Sequence, residues 1–264
     1  MTEATNLVTP DTLIEIRKKE QKLSQLDNNK KPAPRSKAHH VGIEVEFFAP
    51  RDKFNNFKDL LIEHDVDKHC CVKSDGSIQS NRDGYSNCEI TILFPETQMQ
   101  VILSKICTVL ELIEAKVNKS CGLHVHLDVR HREAKKVFHN LSMGQDLLYE
   151  MCPTSRKRNN YCRKIPFVDL EKAADECDRY HGINPQSVQK YKTVECRIHS
   201  GTVEFQKIFN WVSLLLKIAT HDPIETFPSN INRVKELLDI DESLFNYIKE
   251  RITKFYPESP FLIP

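Results

Sequence analysis

The stretch at positions 121–128, CGLHVHLD, constrains the fold more than any other part of the sequence. Along a β-strand, successive side chains point to opposite faces, so His124, His126 and Asp128 would share one face and three aliphatic residues the other. Two imidazoles at this spacing bring their nitrogens near a common point, and a carboxylate two residues further on can complete or orient a metal site. The stretch therefore predicts a strand that can bind a cation. A half-buried strand whose polar face meets only water is the alternative.

Three further stretches alternate in the same way, and each places ionisable side chains on one face: 41–47 (Glu44, Glu46), 87–93 (Glu89) and 192–199 (Glu195, Arg197, His199). If all four strands lie in one sheet, five carboxylates gather on its open face. Such a cluster normally persists because divalent cations neutralise it. Carboxylate-rich ligation favours Mg²⁺ or Mn²⁺ over zinc.

Other apolar residues recur at helical spacing, and the stripe at 99–117 is wide enough to cover a sheet. Further helices are expected at 54–64, 137–148, 169–179, 208–218 and 234–252. Because strands and helices alternate unevenly, a regular βαβ repeat is excluded. The sequence predicts an α+β fold with a mainly antiparallel sheet and helices on its apolar face.

The two ends of the chain differ from its middle. A short helix is expected at 9–26, starting at Thr9-Pro10-Asp11, and the segment DNNKKPAPRSKAHH at 27–40 has the composition of an extended linker. We expect the catalytic domain at 41–220. Residues 221–264 would form a helical extension packed on it.

Composition narrows the class of protein. A net charge of +1 gives no field that would recruit nucleic acid or an acidic membrane surface, so neither is expected as a partner. Nine cysteines without paired CxxC motifs are expected to be reduced thiols. With no signal-peptide pattern and no apolar run near the ~20 residues that span a bilayer, a cytoplasmic protein is expected. Phosphate-binding loops of the GxxxxGK[ST] or GxGxxG type are absent from the sequence.

Five motifs occur in a fixed order: GIEVE at 42–46, DGSI at 75–78 followed by Glu89 and Pro95, GLHVH at 122–126, NYC at 160–162, and TVECR at 193–197 followed by GT at 201–202 and Trp211. In this order they resemble the putative amidoligase family. That family belongs to the carboxylate-amine ligase superfamily, together with glutamine synthetase and glutamate-cysteine ligase. The resemblance covers roughly residues 41–220.

The resemblance implies a curved antiparallel sheet like the catalytic domain of glutamine synthetase, with a cleft where Mg²⁺ ions (or Mn²⁺) bridge ATP phosphates and glutamates. It assigns the nucleotide-side metal to Glu44, His124 and Glu195. It assigns the metal nearer the substrate to Glu46 and Glu89.

The resemblance also implies roles for basic residues. Arg197 would contact the transferred phosphoryl group and act in catalysis together with Glu195, whereas an Arg197–Glu195 ion pair without a chemical role is the alternative. His126, Arg158 and Arg163 would contact nucleotide phosphates. The choice among Arg158, Arg163 and the neighbouring Arg156 stays open.

These features predict an ATP-dependent ligase that joins a carboxylate substrate to an amine through an acyl phosphate; the sequence specifies neither the two substrates nor the oligomeric state. One alternative is a zinc-dependent metallo-hydrolase, because HVHLD with His131 resembles the HxHxDH signature, although Val129 stands where that signature has histidine. The other alternative is a catalytically inert nucleotide-binding protein of the same fold.

Overall fold

The computed structural model describes residues 39–80 and 83–263, and an open sheet of antiparallel strands lies at their centre. The strands found in these ranges are β1 (His40–Pro50), β2 (Cys70–Ser74), β3 (Tyr85–Pro95), β4 (Leu123–Asp128), β5 (Ile183–Asn184) and β6 (Thr193–Cys196). Their order is β2-β3-β1-β4-β6-β5. The predicted α+β class and antiparallel sheet are confirmed. The short edge strand β5 was not predicted.

Strand register places the polar side chains of neighbouring strands side by side. In β1, Glu44 lies opposite His124 of β4, and Glu46 lies opposite Glu89 of β3. Further along the sheet, His126 of β4 pairs with Glu195 of β6. Since paired residues point to the same face, the register alone brings four strands' polar groups together.

Helices accompany the sheet, and those that enter the main core pack against its aliphatic residues. In the described residues they are α1 (Arg51–Phe54), α2 (Phe57–Glu63), α3 (Met99–Leu112), α4 (Ala134–Met143), α5 (Gln145–Glu150), α6 (Thr154–Lys157), α7 (Leu170–Glu176), α8 (Gln186–Tyr191), α9 (Phe205–Thr220), α10 (Ile231–Leu238) and α11 (Glu242–Phe255). Short 3-10 turns occupy Asp67–His69, Glu96–Gln98 and Pro260–Leu262.

The aliphatic residues that alternate with the polar ones form the core with these helices. Ile43 and Val45 of β1, Ile106 of α3 and Trp211 of α9 are fully buried in one continuous cluster. Each such side chain contributes about 1.5–3 kcal/mol through the surface that it removes from water. This burial fixes which face of the sheet remains open.

Several predicted boundaries shift in the structure. The stretch at 54–64 forms two helices separated at Asn55–Asn56 instead of one. The helix predicted at 169–179 spans only Leu170–Glu176, with Asp169 capping it by accepting from the Lys172 backbone N at 2.8 Å. The strand predicted at 192–199 ends at Cys196.

The predicted helix at 9–26 and nearly all of the predicted linker lie outside the described residues, and the domain boundaries stay predictions. From His39 onward the chain forms one compact unit. The last helix belongs to that unit, because Ile248 and Ile252 are buried in the main core. None of the nine cysteines, all of which are described, forms a disulfide. No helix in the described ranges is long and apolar enough to cross a membrane.

Candidate metal centre

The first cluster on the open face combines side chains from β1, β4 and β6. His124 Nδ1 lies 3.1 Å from Glu44 Oε2, and His126 Nε2 lies 3.6 Å from Glu44 Oε1 and 3.8 Å from Glu195 Oε1. One potential ligand atom from each of Glu44, His126 and Glu195 lies within 4.8 Å of the others. We call these three residues the first acidic cluster.

The hydrogen bonding of His126 tests whether this cluster fits a metal ion. Its Nε2 is buried without a hydrogen-bond partner, while its Nδ1 lies 3.0 Å from Thr193 Oγ1. When Nδ1–H donates a hydrogen bond to that hydroxyl, the deprotonated Nε2 presents a lone pair towards Glu44 and Glu195. Histidine ligands in metal sites are oriented in this way by a second hydrogen bond. The donor set therefore fits a divalent cation, and His126, which was predicted to contact phosphate, joins the candidate metal ligands.

His124, the histidine predicted to bind metal, lies between two groups of carboxylates. Its Nδ1 is 3.8 Å from Glu195 Oε1, and its Nε2 is 3.9 Å from Glu46 Oε1. A Cβ at Gly122 would lie only 2.8 Å from His124 Nε2, so the ring occupies space that only glycine leaves open. His124 is thus placed to connect the two groups.

The second acidic cluster consists of Glu46, Asp75 and Glu89, whose nearest carboxylate oxygens also lie within 4.8 Å of one another. Glu46 Oε2 accepts from the Gly122 backbone N at 2.6 Å, and Lys73 Nζ is 2.7 Å from Glu89 Oε1. Sequence reasoning assigned no ligand role to Asp75, which directly follows β2. Its only signal was its place in the DGSI motif.

Burial and charge act against each other in these carboxylates. Burial raises the pKa of Glu44, but the neighbouring imidazoles of His124 and His126 outweigh it and hold that pKa well below its usual range. Burial likewise opposes, but does not cancel, the nearby cations that lower the pKa of Glu195. The pKa of Glu89 is raised by burial and by the charge of Glu44. A cation would relieve the repulsion that the second cluster retains.

Arg197 contacts the first acidic cluster directly. Its Nη1 donates to Glu195 Oε1 at 2.5 Å, and its Nε donates to the Tyr161 carbonyl at 3.4 Å. The other oxygen of Glu195 accepts from Asn184 Nδ2 at 2.5 Å. The ion pair that sequence reasoning considered is therefore present, and Asn184 of β5 is a contact that it missed.

The other arginines lie in different environments. Arg156 is buried and donates to the carbonyls of Arg197, at 2.6 Å, and Ile198, at 2.9 Å. Arg163 Nη2 donates to both carboxylate oxygens of Asp178, each at 2.7 Å. Arg158 is exposed and forms no ion pair within the described ranges. The structure thus gives Arg156 a structural contact and shows neither Arg158 nor Arg163 at the clusters.

Two side chains that alternation placed on the open face do not join the clusters. Asp128 is buried in an ion pair with Arg130, whose Nε donates to Asp128 Oδ1 at 2.7 Å. His199 lies beyond the end of β6 and packs on Trp211, with ring centroids 4.7 Å apart. Burial lowers the pKa of His199 to about 3. The alternation fails there because the strand has already ended.

One aromatic residue at the rim was also missed. Tyr191 is 55 % exposed, and its ring lies 6.0 Å from that of His126 in an edge-to-face arrangement. Its position at the end of α8 gives no periodic signal. His131, which the hydrolase alternative requires, is exposed beyond the end of β4.

Together, the fold and the site define an α+β protein whose open antiparallel sheet carries two groups of carboxylates joined by histidine. Two segments, 69–176 and 166–219, match the family model described as "Putative amidoligase enzyme". They cover more than half of the chain, which therefore belongs to this amidoligase family. No curated protein matches the chain.

Family membership indicates an enzyme of the ligase type. The matched segments contain Glu89, both histidines of β4 and Glu195 with Arg197, while β1 with Glu44 and Glu46 precedes them. The structure thus supplies the first strand of the site, which the match does not reach.

Proposed function

We propose that this protein is an ATP-dependent carboxylate-amine ligase that forms an amide through an acyl phosphate, like glutamine synthetase and glutamate-cysteine ligase. The observation that carries the proposal is the adjacency of two acidic clusters and Arg197 on one open sheet face. Phosphoryl transfer needs positioning and neutralisation of charge more than covalent help from the protein, and such a face supplies both.

Each acidic cluster has its own role in this proposal. Glu44, His126 and Glu195 would hold a Mg²⁺ or Mn²⁺ ion at the nucleotide phosphates. The second acidic cluster would hold another ion nearer the carboxylate substrate. When bound, these ions supply positive charge and Lewis acidity to phosphate oxygens. His124, which faces both clusters, would fix the spacing between them.

In addition to the charge of the metal ions, the protein itself supplies positive charge through Arg197. Glu195 holds one terminal nitrogen of its guanidinium, and the side chain is only 16 % exposed. A guanidinium in a largely buried site stabilises developing negative charge more strongly than one in water. We assign Arg197 to the phosphoryl group in transit and Glu195 to its orientation.

The chemistry proceeds in two balanced steps. An oxygen of the substrate carboxylate attacks the γ-phosphorus, the bond to the β-phosphate oxygen breaks, and ADP leaves. The amine then attacks the acyl carbon and gives up a proton to the solvent, and the acyl C–O bond breaks to release inorganic phosphate. Phosphorylation is needed because a carboxylate oxygen is otherwise a very poor leaving group.

A screen for ADP release tests this function. The full chain would be incubated with ATP, Mg²⁺ and pooled carboxylates and amines, with Glu44→Gln as the inactive control. ADP release that needs both pools supports a ligase. Zinc retained through purification, together with hydrolysis that needs no nucleotide, would support the hydrolase alternative. ATP binding without ADP release in any pool would support the inert alternative.

A further inference from the structure

A cavity of about 250 Å³ lies between the end of β6 and helices α9 and α11, and none of the residues of the two acidic clusters lines it. Its charged lining consists of Lys207, Arg251 and Lys254 against a single carboxylate, Glu204. We call it the basic pocket. Three cations against one anion leave a net charge of +2 if His199, which also lines the pocket, is neutral.

The pocket is lined by a buried arginine, Arg251, in addition to its two lysines. The residue is only 6 % exposed, and its Nε donates to the Met151 carbonyl at 3.1 Å. Within the described residues, neither Arg251 nor Lys254 forms an ion pair with a carboxylate, whereas Lys207 pairs with Glu204. The guanidinium carbon of Arg251 lies 4.7 Å from the centroid of the Phe255 ring, which also lines the pocket. An oxyanion in the pocket would add the charge-assisted hydrogen bonds that this ring cannot supply.

The first turn of α9 adds to the positive potential. Val203 and Glu204, which line the pocket, directly precede this 16-residue helix. The first amides of a helix have no intrahelical acceptor, and the helix dipole places partial positive charge there. A helix start beside a buried arginine is a favourable environment for an anion.

His199 contributes a second, independent observation. It is 1 % exposed, its Nδ1 donates to the Ser200 carbonyl at 2.6 Å, and its Nε2 is buried without a hydrogen-bond partner. With Nδ1 protonated and the ring neutral, Nε2 is an acceptor, so it fits a ligand oxygen that carries a proton, such as the P–OH of hydrogen phosphate. A buried polar atom without a partner implies a missing ligand or donor.

We propose that the basic pocket binds hydrogen phosphate, whose charged oxygens contact Arg251 and Lys254 and whose P–OH donates to His199 Nε2. The inference is independent of the proposed ligase function, because it uses neither acidic cluster nor Arg197. Inorganic phosphate is the probe, and malonate, a dianion without a hydroxyl that could donate to Nε2, is the comparison.

Trp211 offers a local reporter of binding. It is the only tryptophan of the chain, and it packs on His199 at the pocket wall. We would titrate the metal-free full chain with phosphate or malonate at constant ionic strength and follow Trp211 fluorescence. A saturable change with phosphate is expected, and malonate is expected to bind more weakly.

Variants on α11 distinguish binding inside the basic pocket from a general effect of surface charge. Lys254→Gln removes an exposed cation of the pocket and is expected to weaken binding about tenfold, as is Arg251→Gln. Lys249→Gln, also exposed on α11 but outside the pocket lining, is the matched control and is expected to bind like wild type. Lys254→Gln keeps the test valid if Arg251→Gln does not fold. The proposal is overturned if phosphate gives no saturation, if malonate binds as tightly as phosphate, if Lys254→Gln binds like wild type, or if Lys249→Gln weakens binding equally.

Discussion

At the scale of single residues, Thr193 decides which nitrogen of His126 is available. Its hydroxyl lies 3.0 Å from His126 Nδ1, so that Nε2 faces the carboxylates of Glu44 and Glu195. A partner of this kind fixes both the tautomer and the orientation of an imidazole ligand.

Thr193→Val should therefore weaken divalent cation binding by about tenfold, because the ring loses the partner that orients it while the side-chain volume stays nearly the same. Equilibrium Mn²⁺ binding measures the effect. Thr108→Val is the control, since Thr108 Oγ1 only donates to the Ser104 carbonyl on the surface of α3. Equal Mn²⁺ affinity in both variants would show that Thr193 does not position His126 for metal binding.

Glu44→Gln and Glu195→Gln should each reduce ATP turnover below about 1 % of wild type, because each removes a charged ligand while preserving shape. Circular dichroism and thermal unfolding are expected to show an intact fold. Glu111→Gln, an exposed substitution on α3, should retain full activity. Normal turnover in Glu44→Gln or Glu195→Gln would contradict the assignment of the first acidic cluster.

At the scale of elements, the end of β6 determines what belongs to the site. The Arg156 guanidinium donates hydrogen bonds to the backbone carbonyls of Arg197 and Ile198. Strand β6 ends just before these two residues, at Cys196. Arg197 therefore remains near the open face, while His199 packs on Trp211 among the positive charges of Arg156, Arg251 and Lys207.

The buried His199 should make folding stability depend on pH. Burial holds its pKa at about 3, below the ordinary 6.5, so below pH 6.5 the unfolded chain binds a proton that the folded protein does not. Stability contributed by this group is complete above pH 6.5 and falls as the pH is lowered, by about 2 kcal/mol at pH 5.

Urea unfolding at pH 7 and pH 5 checks this dependence. His199→Gln should lose less stability between the two values than wild type. His131→Gln, which changes an exposed histidine, should lose as much as wild type. The same loss in His199→Gln as in wild type would show that His199 does not titrate as described.

The loop after β6 approaches the segment just before β4 so closely that only glycine fits at position 201. A Cβ there would lie 2.5 Å from Cys121 Cβ and 3.0 Å from the Cys121 backbone. Gly201→Ala should therefore lower the free energy of unfolding by about 1–3 kcal/mol. At Gly76 a Cβ would meet nothing within 4 Å. Gly76→Ala should therefore change the free energy of unfolding by less than about 0.5 kcal/mol. Equal stability of the two variants in urea would contradict the close approach.

The sequence predicts the faces of the strands well, because the period of two is a local property of the backbone. Glu44, Glu46, Glu89 and the two histidines of β4 all lie on the predicted face. The pairing between strands depends on distant parts of the chain, so the approach of His126, in addition to His124, to Glu44 and Glu195 could not be predicted. The same holds for Asp75 and Asn184, which come from a turn and a two-residue strand without periodic pattern.

The end of β6 at Cys196 could not be predicted from the sequence pattern either. The backbone carbonyls after Cys196 accept hydrogen bonds from the buried guanidinium of Arg156, which lies 41 residues before Arg197 in the sequence. Such a long-range contact overrides local alternation, which continues through His199 in the sequence. The errors therefore concentrate where tertiary contacts, rather than backbone periodicity, determine orientation.

At the scale of the whole molecule, one sheet separates two environments. Its covered face meets a continuous apolar core, while its open face carries both acidic clusters and Arg197. The central claim is that this open face transfers the γ-phosphoryl group of ATP to a carboxylate and then joins the acyl group to an amine.

Trapping the acyl phosphate with hydroxylamine tests that claim most directly. Hydroxylamine is a small, strong nucleophile that can replace the natural amine once the ADP screen has found the acid. With that acid, ATP and Mg²⁺, the account predicts a hydroxamate in amounts equal to the ADP and phosphate released. Formation of AMP and pyrophosphate would contradict it, because the intermediate would then be an acyl adenylate and Arg197 would lose its assigned role.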